Sequence, residues 1–406
     1  MASLQHRARQ LYAILKRDGV TGAIRTIWRR LRHGPARPQY LDVFGHFDFA
    51  MPHRIESVFG QSVPKTLLWF IPDFNIGSGG HTTIFRTIWS LEKRGYYSSI
   101  VICKPVMHQD PQIASAEIRE HFFPLEAKVY LGVEELPPCE FALATGWDTA
   151  YYVRAFEGAS HKLYFVQDFE PSFYPIGSEY VLAENTYRFG FFGITAGDWL
   201  ASKLALDYGM ATHAVQFGVE HGRYRRRPRR EPEIRRVFFY ARPPTQRRAF
   251  ELGLLVLNAV WKRLPNTHFI MAGWDTSNFK IPFPHLSCGT VTPEELADVF
   301  SQCDVALVLS LTNASLMPPE VMACGCTVVS NRGPNVEWLL NDDVAVLTDA
   351  SPESLADAIC VLLEDDGRRA ALSKRGQEFA ESLHWADMAD SFEAGLLKAR
   401  VGGARH

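Results

Sequence analysis

The sequence predicts an α/β protein with two Rossmann-like domains that face a central cleft. From "KTLLWFIP" (65–72) onward, short apolar runs rich in β-forming residues alternate with helical stretches, the pattern of a parallel sheet wrapped by helices. The alternation restarts after an arginine-rich stretch. The length, 406 residues, also suits two domains better than one core.

The elements follow in order along each half. We predict first-half strands near 67–71, 99–103, 140–144, 162–167 and 191–195, with helices such as 80–94 and 197–208. We predict second-half strands near 236–240, 267–272, 304–309 and 326–330, with helices near 246–264, 293–302, 317–324 and 352–364.

The joint between the halves lies in "FGVEHGRYRRRPRREPEIRR" (217–236), which has eight arginines and no apolar periodicity. It is either a solvated linker or a segment that binds phosphate or lipid head groups. The resulting domain boundaries are an N-terminal segment (1–40), a first domain with a returning C-terminal helix (41–218 and 385–406), a linker (219–236) and a second domain (237–384).

Composition narrows the class of protein. The chain has 47% hydrophobic residues, and its 43 basic and 45 acidic residues nearly balance, so net charge indicates no partner and gives no reason to expect nucleic acid. Its seven cysteines show no C-x-x-C pair and no histidine at zinc spacing, so we expect neither a disulfide frame nor a metal site. No apolar run of transmembrane length and no signal peptide is evident, which favours a cytoplasmic location.

The first forty residues are different. Nine basic residues and one acidic residue, Asp18, accompany apolar residues at helical spacing. The segment is a candidate for peripheral contact with the anionic inner face of a membrane, at about 1 kcal/mol per basic residue near the surface. The alternative is a helix packed on its own domain with a solvated face.

In open α/β sheets ligands bind beyond the carboxyl ends of the strands, so the loops there are the candidate site. In "PDFNIGSGGHTTIF" (72–85), Gly79 and Gly80 precede a helix and allow close approach of a ligand to the backbone, although a tight structural turn would look the same. In "YARPPTQRRAFELG" (240–253), Arg242, Arg247 and Arg248 are placed to hold a diphosphate.

A third loop follows the strand "DVALVLS" (304–310). Backbone amides of "TNAS" (312–315) precede a helix in which Glu320 lies one turn from the start. Exposed amides at a helix N-terminus bind phosphate, and a carboxylate one turn further accepts hydrogen bonds from a sugar hydroxyl pair.

These segments resemble a known family. "PPEVMACGCTVVSNRGPNVEWL" is similar to the E-A-M-A-x-G-x-P-V-V nucleotide-diphosphate signature of retaining glycosyltransferases of the GT-B fold, family 4. Further segments match that family in order: "GG" with "LEKRGY", "FGVEHGRY", "YARPPTQR", "MAGW", "CGTVTPEELADVFSQCDVAL" and "HWADMADSFEAGL". The resemblance covers roughly residues 65–400.

The resemblance implies roles for single residues. Arg242 and Arg247 would stabilise the leaving diphosphate as catalytic residues, with Arg248 as a second donor ligand. The other donor contacts it implies are Gly79, Gly80, Val291 beside the base, the amides of Ala314, Ser315 and Leu316 at phosphate, and Glu320 at the ribose or deoxyribose. Gln167 and Asp168 would face the acceptor or donor sugar. Bland alternatives remain for each, such as a helix-dipole carboxylate for Glu320 and a loop cap for Asp168.

Two departures from the family pattern are informative. Thr312 stands where the family usually has a glutamate, and Gln167 stands where it often has a histidine that contacts the C6 hydroxyl of the donor sugar. The second departure is compatible with a 6-deoxy sugar, and "FVQDFE" with "PPEVMACG" resembles the S-layer-glycan rhamnosyltransferases, which use dTDP-rhamnose. The resemblance therefore implies a retaining transfer of rhamnose to a polysaccharide or lipid-linked glycan, with no cofactor and no metal.

Three alternatives stay open. In the first alternative, the donor is a UDP- or GDP-sugar. In the second, "DFE" (168–170) would hold a metal in a single-domain enzyme, which the second strand and helix set argues against. In the third, the chain is a sugar-binding subunit that has lost turnover, consistent with Thr312.

Overall fold

The computed structural model describes residues 50, 54–58, 60–314 and 316–402. The basic segment 1–40 and Ser315, both singled out in the sequence, lie outside these residues. Among the described helices, none is long and apolar enough to cross a membrane.

The first domain is a seven-stranded parallel sheet. Its strands are β1 (Thr66–Ile71), β2 (Tyr97–Ile102), β3 (Lys128–Leu131), β4 (Cys139–Ala144), β5 (Ala159–Val166), β6 (Phe192–Ala196) and β7 (Thr212–Val215). They are ordered β3-β2-β1-β4-β5-β6-β7. The helices between them are α1 (Gly79–Glu92), α2 (Pro111–His121), α3 (Trp147–Ala155), α4 (Ser178–Thr186) and α5 (Asp198–Tyr208).

The second domain repeats the plan with six parallel strands. These are β8 (Arg236–Tyr240), β9 (His268–Ala272), β10 (His285–Ser287), β11 (Val305–Leu307), β12 (Thr327–Asn331) and β13 (Val346–Thr348), ordered β10-β9-β8-β11-β12-β13. Its helices are α6 (Phe250–Arg263), α7 (Pro293–Gln302), α8 (Met317–Ala323), α9 (Pro334–Glu337), α10 (Pro352–Glu364) and α11 (Asp366–Glu381), followed by α12 (Trp385–Gly402). The predicted fold class is confirmed.

Central strands are apolar on both faces because helices cover both sides of each sheet. In β8 the alternation is visible: Phe238 packs into one core cluster while Val237 and Phe239 pack into the other, on the opposite face of the sheet. Parallel pairing of β8 with β9 and β11 places the ends of these strands at one edge. That edge carries the loops of the candidate site.

Helix starts follow local chemistry. At α7, Thr292 and Glu295 form a capping box and Pro293 occupies the first turn, where a missing N–H costs nothing. At α10, Ser351 accepts the Ser354 amide. Both helices begin and end where the sequence predicts.

The C-terminal helix returns to the first domain, as predicted. On α12, Phe392 packs against Trp69 and Phe165 with ring centroids 5.7 and 5.2 Å apart, and Trp385 stacks on Phe217 at 5.8 Å. Aromatic pairs of this kind add to the apolar area that they bury. The helix therefore completes the core of the first domain.

Most arginines of the arginine-rich stretch make ion pairs. Five of its arginines pair with acidic residues of the second domain: Arg223–Glu294 at 2.7 Å, Arg227–Asp298 at 3.9 Å, Arg229–Asp304 at 2.6 Å, Arg230–Asp298 at 2.9 Å and Arg235–Asp366 at 2.6 Å. Of these acids only Asp304 is fully buried. These ion pairs hold the segment 217–236 against the second domain.

One predicted helix is interrupted. Residues 246–264 were expected to be continuous, but Gln246–Arg248 is a 3-10 turn and Ala249 is left-handed, with φ of 49°. The α-helix starts only at Phe250. Arg247 and Arg248 therefore lie on a turn before the helix and not in its first turn, which corrects the expected placement.

Candidate functional site

The two domains meet at the carboxyl edges of their sheets. Asp168, which follows β5, accepts a hydrogen bond from the Thr312 hydroxyl at 2.9 Å, and Thr312 follows β11. Asp168 Oδ2 also lies 3.3 Å from Arg247 Nε. A carboxylate of the first domain thus reaches a cation of the second.

Asn313 is a polar hub of this contact, and its side chain is 1% exposed. Its Nδ2 donates to the carbonyls of Gln167 at 3.2 Å and Ala196 at 3.0 Å, and its Oδ1 accepts from Trp338 Nε1 at 2.7 Å. A buried amide with these partners fixes the relative placement of three loops. Asn313 lies in "TNAS" (312–315), where the sequence pointed to backbone amides and gave no sign of this role for the side chain.

The three arginines of the loop after β8 gather at this contact. Arg247 lies over the Phe173 ring at 4.0 Å, and Arg248 donates to the Ser310 hydroxyl at 3.1 Å. Burial lowers the pKa of Arg248, Asp168 raises it, and the neighbouring cations Arg247 and Arg242 lower it again. Positive charge is therefore concentrated in partly desolvated surroundings.

One guanidinium nitrogen in this group is not satisfied internally. Within the described part of the chain, Nε of Arg242 is buried and makes no hydrogen bond, whereas the buried Nε of Arg247 has the Asp168 carboxylate as its ion-pair partner. Arg242 Nη1 has only a 3.3 Å donation to the Tyr240 hydroxyl. Buried donors of charged groups without partners are costly, so this cluster is suited to an anionic ligand.

The surroundings of Asp168 disfavour the charged form of its carboxylate. Burial raises its pKa, while Arg247, Arg248 and the Thr312 hydrogen bond lower it without cancelling the effect. Beside it, Glu170 is 5% exposed and accepts the Trp147 amide at 2.6 Å. Burial raises the pKa of Glu170 to about 8. Both carboxylates of "DFE" (168–170) are therefore buried and hydrogen-bonded, Asp168 to Thr312 and Glu170 to the Trp147 amide, and nothing in the sequence indicated the second bond.

Glu320 lies on α8 and is partly buried. Burial raises its pKa to about 8, and Arg223 and Arg86 act in the opposite direction. Arg86 belongs to α1 of the first domain and pairs with Glu220, so the field of the first domain reaches Glu320. Because α8 follows β11 and Arg242 follows the neighbouring strand β8, Glu320 and Arg242 belong to the same edge.

The amides of the 312–316 loop are less available than predicted. Ala314 N–H donates to the Asn335 carbonyl at 2.9 Å, so this donor is already used, which argues against the predicted phosphate contact. Pro318 and Pro319 remove two further donors from the first turn of α8. Leu316 packs against the first-domain core. Its amide role stays a prediction, and Ser315 lies outside the described residues.

The glycine loop borders the same region. Gly80 begins α1 together with Gly79, and the Gly80 carbonyl accepts from Gln167 Nε2 at 3.3 Å. A Cβ at Gly79 would meet no atom within 4 Å, and one at Gly80 would meet only Gln167 Nε2, at 3.8 Å. Gly77, in contrast, has φ of +84° and needs glycine for its conformation. Val291 lies farther along the second edge, two residues after left-handed Gly289, and packs partly on the second core.

The described residues contain no group of three histidine, cysteine, aspartate or glutamate side chains placed to hold a metal ion.

Known proteins resemble this chain in sequence and in fold. The model of the WsaF C-terminal domain matches residues 235–360, and that of the WsaF N-terminal domain matches residues 135–195. Sucrose-phosphate synthase from Thermosynechococcus elongatus superposes with a TM-score of 0.64 at 14% identity, covering 84% of this chain and 99% of that one. The chain has the GT-B fold.

Other similar proteins extend the comparison. Anabaena HepE in complex with UDP and glucose gives a TM-score of 0.63 at 14% identity, covering 82% of this chain and 99% of that one. TarM of S. aureus gives 0.66 at 10% identity over 82% of this chain and 99% of that one. The O-antigen biosynthesis protein RfbC of Myxococcus xanthus is 32% identical over 362 residues, 85% of this chain. This chain spans only 28% of the RfbC length.

Proposed function

We propose that this chain transfers a sugar from a nucleotide diphosphate donor to a growing polysaccharide or glycan acceptor. The observation that carries the proposal is the cluster of Arg242, Arg247 and Arg248 at the domain contact, in which the buried Nε of Arg242 makes no hydrogen bond within the described residues. Cations in a desolvated site stabilise a leaving diphosphate without a metal ion. Similarity to the O-antigen biosynthesis protein RfbC and to HepE, whose structure is a complex with UDP and glucose, supports the same class of reaction.

The specific donor in our proposal is dTDP-rhamnose. It rests on Gln167, which stands where the resembling family often has a histidine for a C6 hydroxyl, and whose amide nitrogen donates to Gly80. A UDP- or GDP-sugar donor and a non-catalytic sugar-binding subunit are the alternatives. Each predicts a different result in the experiment below.

The reaction breaks the bond between the anomeric carbon and the diphosphate oxygen, which keeps the bonding electrons. The acceptor hydroxyl oxygen forms the new glycosidic bond, and its proton passes to the departing phosphate oxygen. Arg242 and Arg247 neutralise the charge that develops on the leaving group, with Arg248 as a second candidate for the same role. Attack on the face that the leaving group vacates gives retention, which follows from the family resemblance.

The proposal is tested with the purified protein against dTDP, UDP, GDP and their sugars. Thermal unfolding identifies the nucleotide, because a ligand that binds only the folded state raises its stability. Release of dTDP from dTDP-rhamnose, unaffected by EDTA, supports the full proposal. A shift with UDP or GDP alone moves the donor to that alternative. Nucleotide binding without any turnover, even with membrane extract as acceptor, supports the sugar-binding subunit.

We also propose that the protein acts in the cytoplasm and touches the inner face of the membrane through residues 1–40. The support is the basic and apolar pattern of that segment. Its deletion should reduce sedimentation with vesicles containing phosphatidylglycerol and leave turnover on a soluble acceptor unchanged. Unchanged sedimentation would favour the packed-helix alternative.

A further inference from the structure

A small polar cavity of about 150 Å³ lies in the second domain, between the linker, the ends of α7 and α8 and the first half of α11. Two of its lining residues, Asp304 and Gly325, lie just before β11 and β12, at the amino ends of these parallel strands. The arginine cluster of the candidate site follows β8, at the carboxyl ends of the same sheet. The cavity is therefore separate from the candidate site and on the opposite edge of the sheet.

One cation on the wall of this cavity has no partner. Arg226 lines the cavity, is exposed, and makes no hydrogen bond or ion pair through its guanidinium within the described part of the chain. Its stem lies against the backbone at the end of α8, because a Cβ built on Gly325 would lie 3.1 Å from Arg226 Cδ. The linker thus presents to the cavity a guanidinium that no acid of the protein neutralises.

A second arginine of the linker has an unused donor. Arg229 also lines the cavity, and its Nη1 and Nη2 donate to the two carboxylate oxygens of Asp304 at 2.6 and 3.1 Å. Its Nε is buried and makes no hydrogen bond within the residues that the structure describes. A buried donor of a charged group without an acceptor is costly. An anion in the cavity would supply that acceptor.

The charges around the cavity do not balance. Four guanidinium groups and two carboxylates line it or pair with its lining, a net charge of +2: Arg226, Arg229, Arg235 and Arg369 against Asp304 and Asp366. Asp304 is 1% exposed in its side chain and already has three guanidinium groups within 4 Å. The adjacent pair Arg236–Glu231 adds no net charge. Burial raises the pKa of the two lining thiols, Cys303 and Cys324, so they stay neutral.

The size of the cavity limits the ligand. Sites for whole small molecules measure roughly 300–1,000 Å³, so a nucleotide sugar is too large for this one. A phosphate group is small, and guanidinium groups bind phosphate oxygens with paired, charge-assisted hydrogen bonds. The Ser373 hydroxyl, which also lines the cavity, donates its proton to the Gly325 carbonyl at 2.8 Å and adds no charge.

We propose that this cavity binds a phosphate group, free or carried on a larger molecule, between Arg226 and Arg229. The ligand would join the linker to the end of α8, the helix whose first turn carries Glu320 at the other edge of the sheet. This site is additional to the donor site and does not depend on the proposed transfer.

The experiment follows thermal unfolding of the full chain in rising concentrations of sodium phosphate, with sodium chloride keeping the ionic strength constant. Binding to a site gives a stabilisation that saturates with a measurable half-saturating concentration. The general effect of phosphate, through its exclusion from protein surfaces, is shared by all variants. The cavity variants are Arg226→Ala, which breaks no internal bond, and Arg229→Lys, which keeps a cation for Asp304 but removes Nε.

Two controls are matched to these variants. Arg225→Ala removes a neighbouring exposed arginine that does not line the cavity. Arg242→Ala removes a cation of the candidate site, where phosphate could also bind. The unfolding shift with dTDP should be the same in Arg226→Ala as in the wild type, so failure of this inference leaves the proposed function untouched.

We expect the wild type, Arg225→Ala and Arg242→Ala to share one saturating component. Arg226→Ala should raise its half-saturating concentration at least about tenfold, the loss of a charged hydrogen-bonding partner, and Arg229→Lys about fivefold. If Arg229→Lys does not fold, Arg226→Ala decides. A general salt effect only, an unchanged half-saturation in Arg226→Ala, or a component lost in Arg242→Ala alone would overturn the inference.

Sedimentation with phosphatidylglycerol vesicles identifies the source of the phosphate. If Arg226→Ala binds phosphate more weakly and also sediments less than Arg225→Ala, the site takes a lipid head group. If it binds phosphate more weakly and sediments equally, the site takes a soluble phosphate. An Arg226→Ala protein that sediments less but binds phosphate like the wild type would show a surface charge effect, and the cavity assignment would be wrong.

Discussion

Replacing Asp168 by asparagine separates two roles that the structure combines in one side chain. The Asp168 side chain is 12% exposed; its carboxylate accepts the Thr312 hydroxyl and lies 3.3 Å from Arg247 Nε. It therefore competes with a diphosphate for the guanidinium that is proposed to bind it. Asparagine keeps the size and one acceptor oxygen but removes the charge.

The size of the effect follows from the geometry. Two unit charges about 4 Å apart interact by about 4 kcal/mol at an effective dielectric constant of about 20. Arg247 is 27% exposed, so solvent screens the pair. We take about 1–2 kcal/mol, which is a gain of about 5–30-fold in diphosphate affinity. Transfer should become slower at the same time, because the charge next to the reacting sugar is lost.

Isothermal titration calorimetry with dTDP and with inorganic pyrophosphate measures the affinity, and nucleotide release from dTDP-rhamnose measures transfer. The control is Thr312→Val, which removes the hydroxyl partner of Asp168 but leaves its charge, and should not raise affinity. Unchanged or weaker pyrophosphate binding in Asp168→Asn would refute the competition and the placement of the diphosphate at Arg247.

Three further predictions concern single side chains. Arg242→Ala should reduce transfer by about 10²–10³-fold, as for a lost transition-state donor, with unfolding temperature within about 4 °C of the wild type; wild-type activity would misplace the phosphate site. Glu170→Gln should unfold at a higher temperature than the wild type at pH 8.5 but not at pH 5. With a folded pKa of about 8, the folded wild type holds a proton that the unfolded chain has released, so the stability of the wild type falls as pH rises from about 4.5 to about 8. Equal pH profiles of the two proteins by scanning calorimetry would contradict this. His108→Gln should destabilise the protein more at pH 5.5 than at pH 9. Burial alone lowers the pKa of His108, but the hydrogen bonds and charges of Asp73 and Glu117 outweigh burial and raise that pKa. The stabilisation is therefore full below the unfolded pKa of about 6.5 and is lost as pH rises through the folded pKa. A pH-independent difference in denaturant unfolding would show that the histidine acts through packing alone.

The strands that the sequence did not predict share one property. β3 and β7 form the edges of the first sheet, and β10 and β13 form the edges of the second. These strands have three or four residues, and several of their side chains are exposed, so they lack the continuous apolar runs that identify the central strands. Their pairing is decided by the neighbouring strand and not by their own sequence.

The candidate site divides in the same way. The sequence located the loops that carry Arg242, Asp168 and Glu320, because parallel strands bring such loops to one edge. It did not reveal that Asp168 reaches across to Thr312, or that Asn313 fixes the contact between the domains. These partners are 144 and 117 to 146 residues apart in sequence, and no local pattern encodes such a distance.

By itself, then, the sequence determined that the chain forms two parallel α/β halves and which strand ends carry charged loops, since apolar periodicity and turn chemistry are local. Only the tertiary structure decided that most of the linker arginines are bound to acidic residues and that the Ala314 amide is already used. These features depend on which distant groups come within hydrogen-bonding distance when the chain packs, and on how far burial shifts their pKa values.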